Sequence, residues 1–155
     1  MNIGIIVHSK TGNTYSVAEK LQKELIAAGH TVAIEKLMAV NDFQYDVQKI
    51  YLKSTPDISG FDAIIFGAPV RGFSLSPVLE AYLTQLVTLQ GKKVACFVTQ
   101  FFPFPWMGGN RAIKQMKQIC ELRGAKLLAT GIINWSNNRE MKITNFVEKQ
   151  TSLLS

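Results

Sequence analysis

Between an apolar run, Ile3 to Val7, and an amphipathic stretch beginning near Thr14 lies the hexapeptide Ser9-Lys10-Thr11-Gly12-Asn13-Thr14. It gathers three hydroxyls, an amide and a glycine where a helix is predicted to start. The first turn of a helix has N–H groups without intrahelical acceptors and carries a partial positive charge, so it can hold an anion without a cationic side chain. Hydroxyl and backbone donors of this kind suit a phosphomonoester that is retained, rather than a nucleotide that is hydrolysed. A Walker loop needs Gly-x-x-x-x-Gly-Lys-Ser/Thr and a dinucleotide fingerprint needs Gly-x-Gly-x-x-Gly; this segment has one glycine and no lysine after it. Lys10, its one charge, is expected to face solvent, and Asn13 to cap the helix. A turn that merely caps a helix is the alternative.

Two more segments carry candidate chemistry: Gly67-Ala68-Pro69-Val70-Arg71-Gly72-Phe73-Ser74, and the stretch from Thr99 and Gln100 through Phe101 and Trp106 to Gly109 and Asn110. Four of the nine phenylalanines and one of the two tryptophans fall in them, a concentration that calls for a surface to cover. Glycines let backbone approach a ligand closely. A flat, partly apolar heterocycle between the two segments fits both facts, with Pro69, Val70, Arg71, Gly72, Phe73, Thr99, Gln100, Phe101, Trp106 and Gly109 as contacts. Packing of the two loops on each other is the alternative.

The elements that must position these segments alternate. Apolar runs at Ile3–Val7, Thr31–Ile34, Ala63–Phe66, Lys93–Thr99 and Leu127–Ile133 predict five strands. Helical spacing of Val17, Ala18, Leu21 and Leu25, then of Leu79, Tyr82, Leu83 and Leu86, then of Ile113, Met116 and Cys120, and of Ile143, Phe146, Val147 and Leu154 predicts four main helices. Ser76-Pro77 reads as an N-cap and first turn, and residues 38–60 as a short helix around Tyr45–Leu52 followed by a turn. Fully apolar strands alternating with helices imply one α/β domain over residues 1–155, with a doubly wound, five-stranded parallel sheet. Ligands of such sheets sit beyond the carboxyl ends of the strands, where all three candidate segments fall.

Composition removes other classes. The chain has 47% apolar and 18% charged residues, which suits a packed domain, and no apolar run is long enough for membrane insertion. The net charge of +6 is scattered over predicted helix faces without aromatic interleaving, so no nucleic-acid partner is expected. A strand that begins directly after Met1-Asn2 leaves no room for a signal peptide, which points to the cytoplasm. Cys96 and Cys120 are expected as buried free thiols, and His8 and His30 lack neighbours at metal-ligand spacing, so no metal site is expected.

The run Ile5-Ile6-Val7-His8-Ser9-Lys10-Thr11-Gly12-Asn13-Thr14, with Ala18 and Leu21 after it, resembles the phosphate-loop signature of the flavodoxin family, and the resemblance extends over the whole chain. It implies a flavodoxin-like sheet of order 2-1-3-4-5 and flavin mononucleotide (FMN), bound at the Ser9–Thr14 loop that includes Lys10, with the phosphate on Ser9, Thr11, Gly12, Asn13 and Thr14 and the ring between the 69–73 and 99–109 segments. The uninterrupted fifth strand is similar to the short-chain subgroup. Val7 replaces the usual aromatic, the chain is basic where low-potential flavodoxins are acidic, and neither ring segment holds Asp or Glu. The ring-stacking Trp or Tyr of the third-strand loop is not evident; Arg71 and Phe73 stand nearest. Pro69-Val70-Arg71 is similar to a flavin-contacting segment of the quinone-reductase branch. The resemblance further implies that the Gly72 peptide could turn over beside ring N5, and that Arg71 near N1 would favour the reduced, anionic ring. An electron carrier between redox partners is the leading expectation; an NAD(P)H:quinone-type oxidoreductase and a flavin-free binding or regulatory domain are the alternatives.

Overall fold

A computed structural model describes residues 1–102, 104–135 and 139–154. Five parallel strands form the sheet: β1 (Asn2–His8), β2 (Thr31–Leu37), β3 (Ala63–Arg71), β5 (Lys93–Gln100) and β6 (Lys126–Asn134). Their order is β2-β1-β3-β5-β6, the predicted 2-1-3-4-5 once a short sixth strand is set aside. That strand, β4 (Ser74–Leu75), pairs antiparallel with the end of β3. The predicted loop after Phe66 is therefore strand as far as Arg71, followed by a two-residue turn. Gly72 (φ 56°) and Phe73 (φ 61°) both lie at positive φ, as a type I′ hairpin turn requires.

Four helices cover the sheet: α1 (Asn13–Ala27), α2 (Pro77–Gln85), α3 (Gly109–Leu122) and α4 (Arg139–Leu154). The last is described from Arg139; its expected start at Asn138 lies outside the described residues. Successive strand residues point to opposite faces, and the core divides accordingly. Ile64 and Phe66 of β3 join Val78 and Leu79 of α2 and Met116 of α3 on one side. Ala63 and Ile65 join Val17 and Leu21 of α1 and Ile143 and Phe146 of α4 on the other. Burial on both faces is why these strands read as unbroken apolar runs. The short helix expected around Tyr45–Leu52 is reduced to one 3₁₀ turn, Val47–Lys49, capped by Asp46 accepting from the Gln48 N–H.

Cys96 of β5 and Cys120 of α3 are buried and free. A hydrogen bond with its neighbour Cys120, together with burial, pushes the Cys96 thiol well up, so Cys96 stays a protonated packing group.

One core position contradicts its surroundings. Gln150 of α4 is fully buried and neither of its amide atoms has a hydrogen-bond partner among the described residues. A buried unpaired polar group destabilises by about 1–3 kcal/mol. Gln150→Leu is therefore expected to raise the unfolding free energy by about 1–2 kcal/mol in urea melts; a variant no more stable than the parent contradicts this.

Candidate functional site

β1 ends at His8, and the chain turns through Ser9–Gly12 into α1. Gly12, at φ 92°, is the residue that precedes the helix; this left-handed conformation suits a residue without a Cβ, so Gly12 and not Asn13 caps α1. The Ser9 hydroxyl accepts from the Tyr15 N–H at 3.2 Å, and the Ser16 N–H donates to the Gly12 carbonyl at 2.9 Å. Among the described residues, the N–H groups of Asn13 and Thr14 have no protein acceptor. The hexapeptide thus presents backbone donors at a helix start beside the Ser9 and Thr11 hydroxyls and the Asn13 amide. This donor set fits a phosphate.

Thr14 and Thr99 face one another: their hydroxyls are 2.9 Å apart and buried. That contact fastens the loop after β1 to the end of β5. Lys10 leaves the loop sideways. Its Nζ lies 3.5 Å from the centre of the Phe43 ring and 3.9 Å from Asp42 Oδ2, so the side chain stays exposed, as expected, while leaning on a neighbouring segment.

The second and third segments meet as expected from the strand order. Pro69 and Thr99 are register partners across β3 and β5. Between the loops lies a cavity of about 130 Å³ lined by Val70, Gly72, Phe73, Gln100, Phe101, Phe102 and Met107. Pockets that hold ring-sized ligands are on the order of 300 Å³ or larger. The space is small because Phe73 stacks on Phe102, with centroids 5.8 Å apart and planes 12° from parallel. Met107 had no place among the candidates; Trp106 did, yet it is 72% exposed and stacks on Phe104 outside the cavity lining. The Gln100 amide donates to the Phe102 and Phe104 carbonyls at 2.8 and 2.7 Å and holds that loop in shape. Gly109 is buried against Gln100: a Cβ there would lie 2.4 Å from Gln100 Oε1. Trp135, just after β6, is partly buried against the α1–α4 side of the core.

A fourth segment reaches the same edge. Residues 38–46, between β2 and β3, bring Asp42 to His8, whose Nε2 is 2.7 Å from Asp42 Oδ1. Nδ1 of His8 lies 2.6 Å from the Ser76 hydroxyl. Ser76 precedes α2, but its side chain makes no helix-capping bond; its hydroxyl serves His8 instead. Arg71 Nη1 donates to the Asp42 carbonyl at 2.6 Å, and the guanidinium lies 4.8 Å over the Tyr45 ring. The two ring loops contain no carboxylate, yet Asp42 supplies one at their edge. Nothing in the local pattern of 38–60 announced this, because its partners lie 29 and 34 positions away in sequence.

Burial lowers the proton affinity of His8, outweighing the opposing pull of Asp42; Arg71 and Lys10 add to the lowering. At neutral pH the imidazole is neutral, with Nε2–H donating to the carboxylate and Nδ1 accepting from Ser76 O–H. The unfolded chain then binds the His8 proton more tightly than the native one. Stability is expected to fall as pH drops below about 6.5, the ordinary histidine value. Urea melts at pH 7.5 and 5.5 should show a smaller loss for His8→Asn than for the parent; equal losses would remove His8 as the cause.

A β2-β1-β3-β5-β6 parallel sheet with a phosphate-type loop between β1 and α1 defines a flavodoxin-like α/β protein. A family model described as a flavodoxin domain matches residues 4–103, well over half of the chain, and the chain belongs to that family. No curated protein matches the sequence. Among solved structures, two-electron reduced flavodoxin from Megasphaera elsdenii is 24% identical with a TM-score of 0.70, over 97% of this chain and 98% of that one. Oxidised Flavodoxin 2 from Bacillus cereus is 23% identical with a TM-score of 0.68, over 96% of each chain. The azoreductase AzrA is 15% identical with a TM-score of 0.69, over 99% of this chain and 98% of that one. No helix among the described residues is long and apolar enough to cross a membrane.

Proposed function

We propose that the chain binds FMN and passes electrons between larger redox partners. The observation that carries this is the donor set at Ser9–Thr14: hydroxyls, an amide and unclaimed helix N–H groups beside a left-handed Gly12, one face of a site whose other face is the aromatic edge of β3 and β5. When bound, FMN supplies the redox chemistry. The Ser9–Thr14 loop would hold the phosphate. Pro69–Phe73 and Thr99–Phe102 would flank the ring and keep water from one face, and Gly72, at a turn, leaves the peptide beside the ring free to reorient. Arg71 brings positive charge to that edge, which favours a reduced, anionic ring.

The site loops contain no evident nucleophile or general base of their own, which favours a carrier. A second reading, an FMN-dependent NAD(P)H:quinone-type or related oxidoreductase, is favoured by the exposed aromatics Phe101, Phe104 and Trp106, which offer a flat substrate an apolar face. An anaerobic visible spectrum separates the readings. A yellow protein reduced by dithionite but not by NADPH supports the carrier, and bleaching by NADPH with quinone turnover supports the enzyme. A purified protein that is colourless and takes up no FMN eliminates both and leaves a flavin-free domain. The localisation expected is cytoplasmic.

A further inference from the structure

We infer that Asp42 is a positioning residue that latches the 38–46 segment across the site and so sets the spacing between the phosphate loop and the ring loops. The inference rests on the FMN reading and adds to it a segment outside all three candidate loops. Asp42 engages both halves of the site at once. Its carboxylate accepts from His8, the residue before Ser9, at 2.7 Å, and its second oxygen lies 3.9 Å from Lys10 within the phosphate loop. Its backbone carbonyl accepts from Arg71, at the tip of the β3–β4 hairpin, at 2.6 Å.

The residues around it repeat the pattern. Phe43 lies under Lys10, and Tyr45 lies under Arg71. The Tyr45 ring approaches Gly72 so closely that a Cβ there would sit 3.4 Å from Cε1. Each contact partner is therefore duplicated, once on the phosphate side and once on the ring side. His8 is itself buttressed by Ser76 at the start of α2, so the latch bears on a buried and fixed imidazole. Lysine and arginine side chains that would otherwise wander are held by a carbonyl, a carboxylate and two ring faces.

A device that sets spacing matters only to a ligand long enough to span both halves. The test is a set of titrations on the full chain with three probes: FMN, riboflavin and inorganic phosphate, the last read by competition or by chemical shifts of the 9–14 amides. The parent is compared with Asp42→Asn, which keeps the shape and one acceptor, and with Asp42→Ala. The expected result is an FMN dissociation constant raised about tenfold or more in Asp42→Ala, and less in Asp42→Asn. Phosphate and riboflavin should change by less than about threefold, on the scale where tenfold is one charge-assisted hydrogen bond. A parallel loss for all three probes would reduce Asp42 to a general folding role and overturn the inference, as would unchanged FMN binding in both variants. If Asp42→Ala does not fold, the Asp42→Asn comparison decides alone. Failure of the parent to bind FMN defeats the FMN reading itself, and the latch with it; parent binding with unaffected variants defeats only the latch.

Discussion

Phe97→Ala is expected to lower the unfolding free energy by about 3–5 kcal/mol, the range for emptying a buried phenylalanine site. That is a large share of the roughly 5–15 kcal/mol that holds a domain together. Phe97 is fully buried on β5, between Gly67 of β3 and Gly131 of β6, its register partners on either side. A Cβ on Gly67 would lie 2.2 Å from Phe97 Cζ, so the ring occupies the space a side chain at 67 would need. Phe146 covers Gly131 in the same way, with a virtual Cβ 2.3 Å from Cδ1, and packs on Phe97 at 5.3 Å between centroids. Gly67→Ala should then destabilise by about 1–3 kcal/mol through overpacking. The double variant should be less destabilised than the sum of the two, because the alanine methyl enters the space vacated by the ring. Strict additivity in urea melts would disprove this account. Gly67 leads directly into Pro69–Arg71, so a shift there also displaces the ring side of the site.

The second large effect concerns the ligand. FMN should bind at least about 100-fold more tightly than riboflavin, the equivalent of about 2.7 kcal/mol for the phosphate contacts. Ser9→Ala and Thr11→Ala are each expected to weaken FMN about tenfold, one charge-assisted hydrogen bond apiece, with riboflavin unaffected. Lys10→Gln should change FMN affinity by less than about threefold, since Lys10 Nζ is directed to Phe43 and Asp42. Flavin fluorescence titrations at fixed salt measure all of these. Equal affinity for FMN and riboflavin would remove the hexapeptide from phosphate binding, and a loss in Lys10→Gln larger than in Thr11→Ala would make Lys10 the principal anchor.

What could be read from the sequence was what local pattern determines. The inner strands β1, β3 and β5 are buried on both faces and so appear as apolar runs, and α1 shows its buried stripe Val17, Ala18, Leu21 and Leu25 directly. The hexapeptide is legible because its donors are contiguous. The hairpin at 71–74 was hidden because its turn is Gly-Phe, lacking the Asn-Gly or Asp-Gly pair that announces a type I′ turn. The 38–46 segment was hidden for another reason. It has neither a 3.6 nor a 2.0 period, and its place is set by Asp42 meeting His8 and Arg71 far along the chain. Choosing among Phe101, Phe102 and Trp106 required the course of the backbone, held by the Gln100 amide, which leaves Phe101 and Phe102 in the cavity lining and Trp106 outside it.

The Phe73–Phe102 stack also has a kinetic meaning. For the proposed flavin ring to enter the slot the pair would have to separate, so uptake would be gated by an opening step. The observed association rate should rise with ligand concentration and then level off at the opening rate. The apparent dissociation constant exceeds the intrinsic one by the inverse of the open fraction. Phe73, held at a left-handed φ of 61° that bulky residues seldom adopt, forms one half of that pair. On the FMN reading, speed of loading and tightness of holding would be separable properties, one belonging to two stacked phenyl rings and the other to the loop after β1.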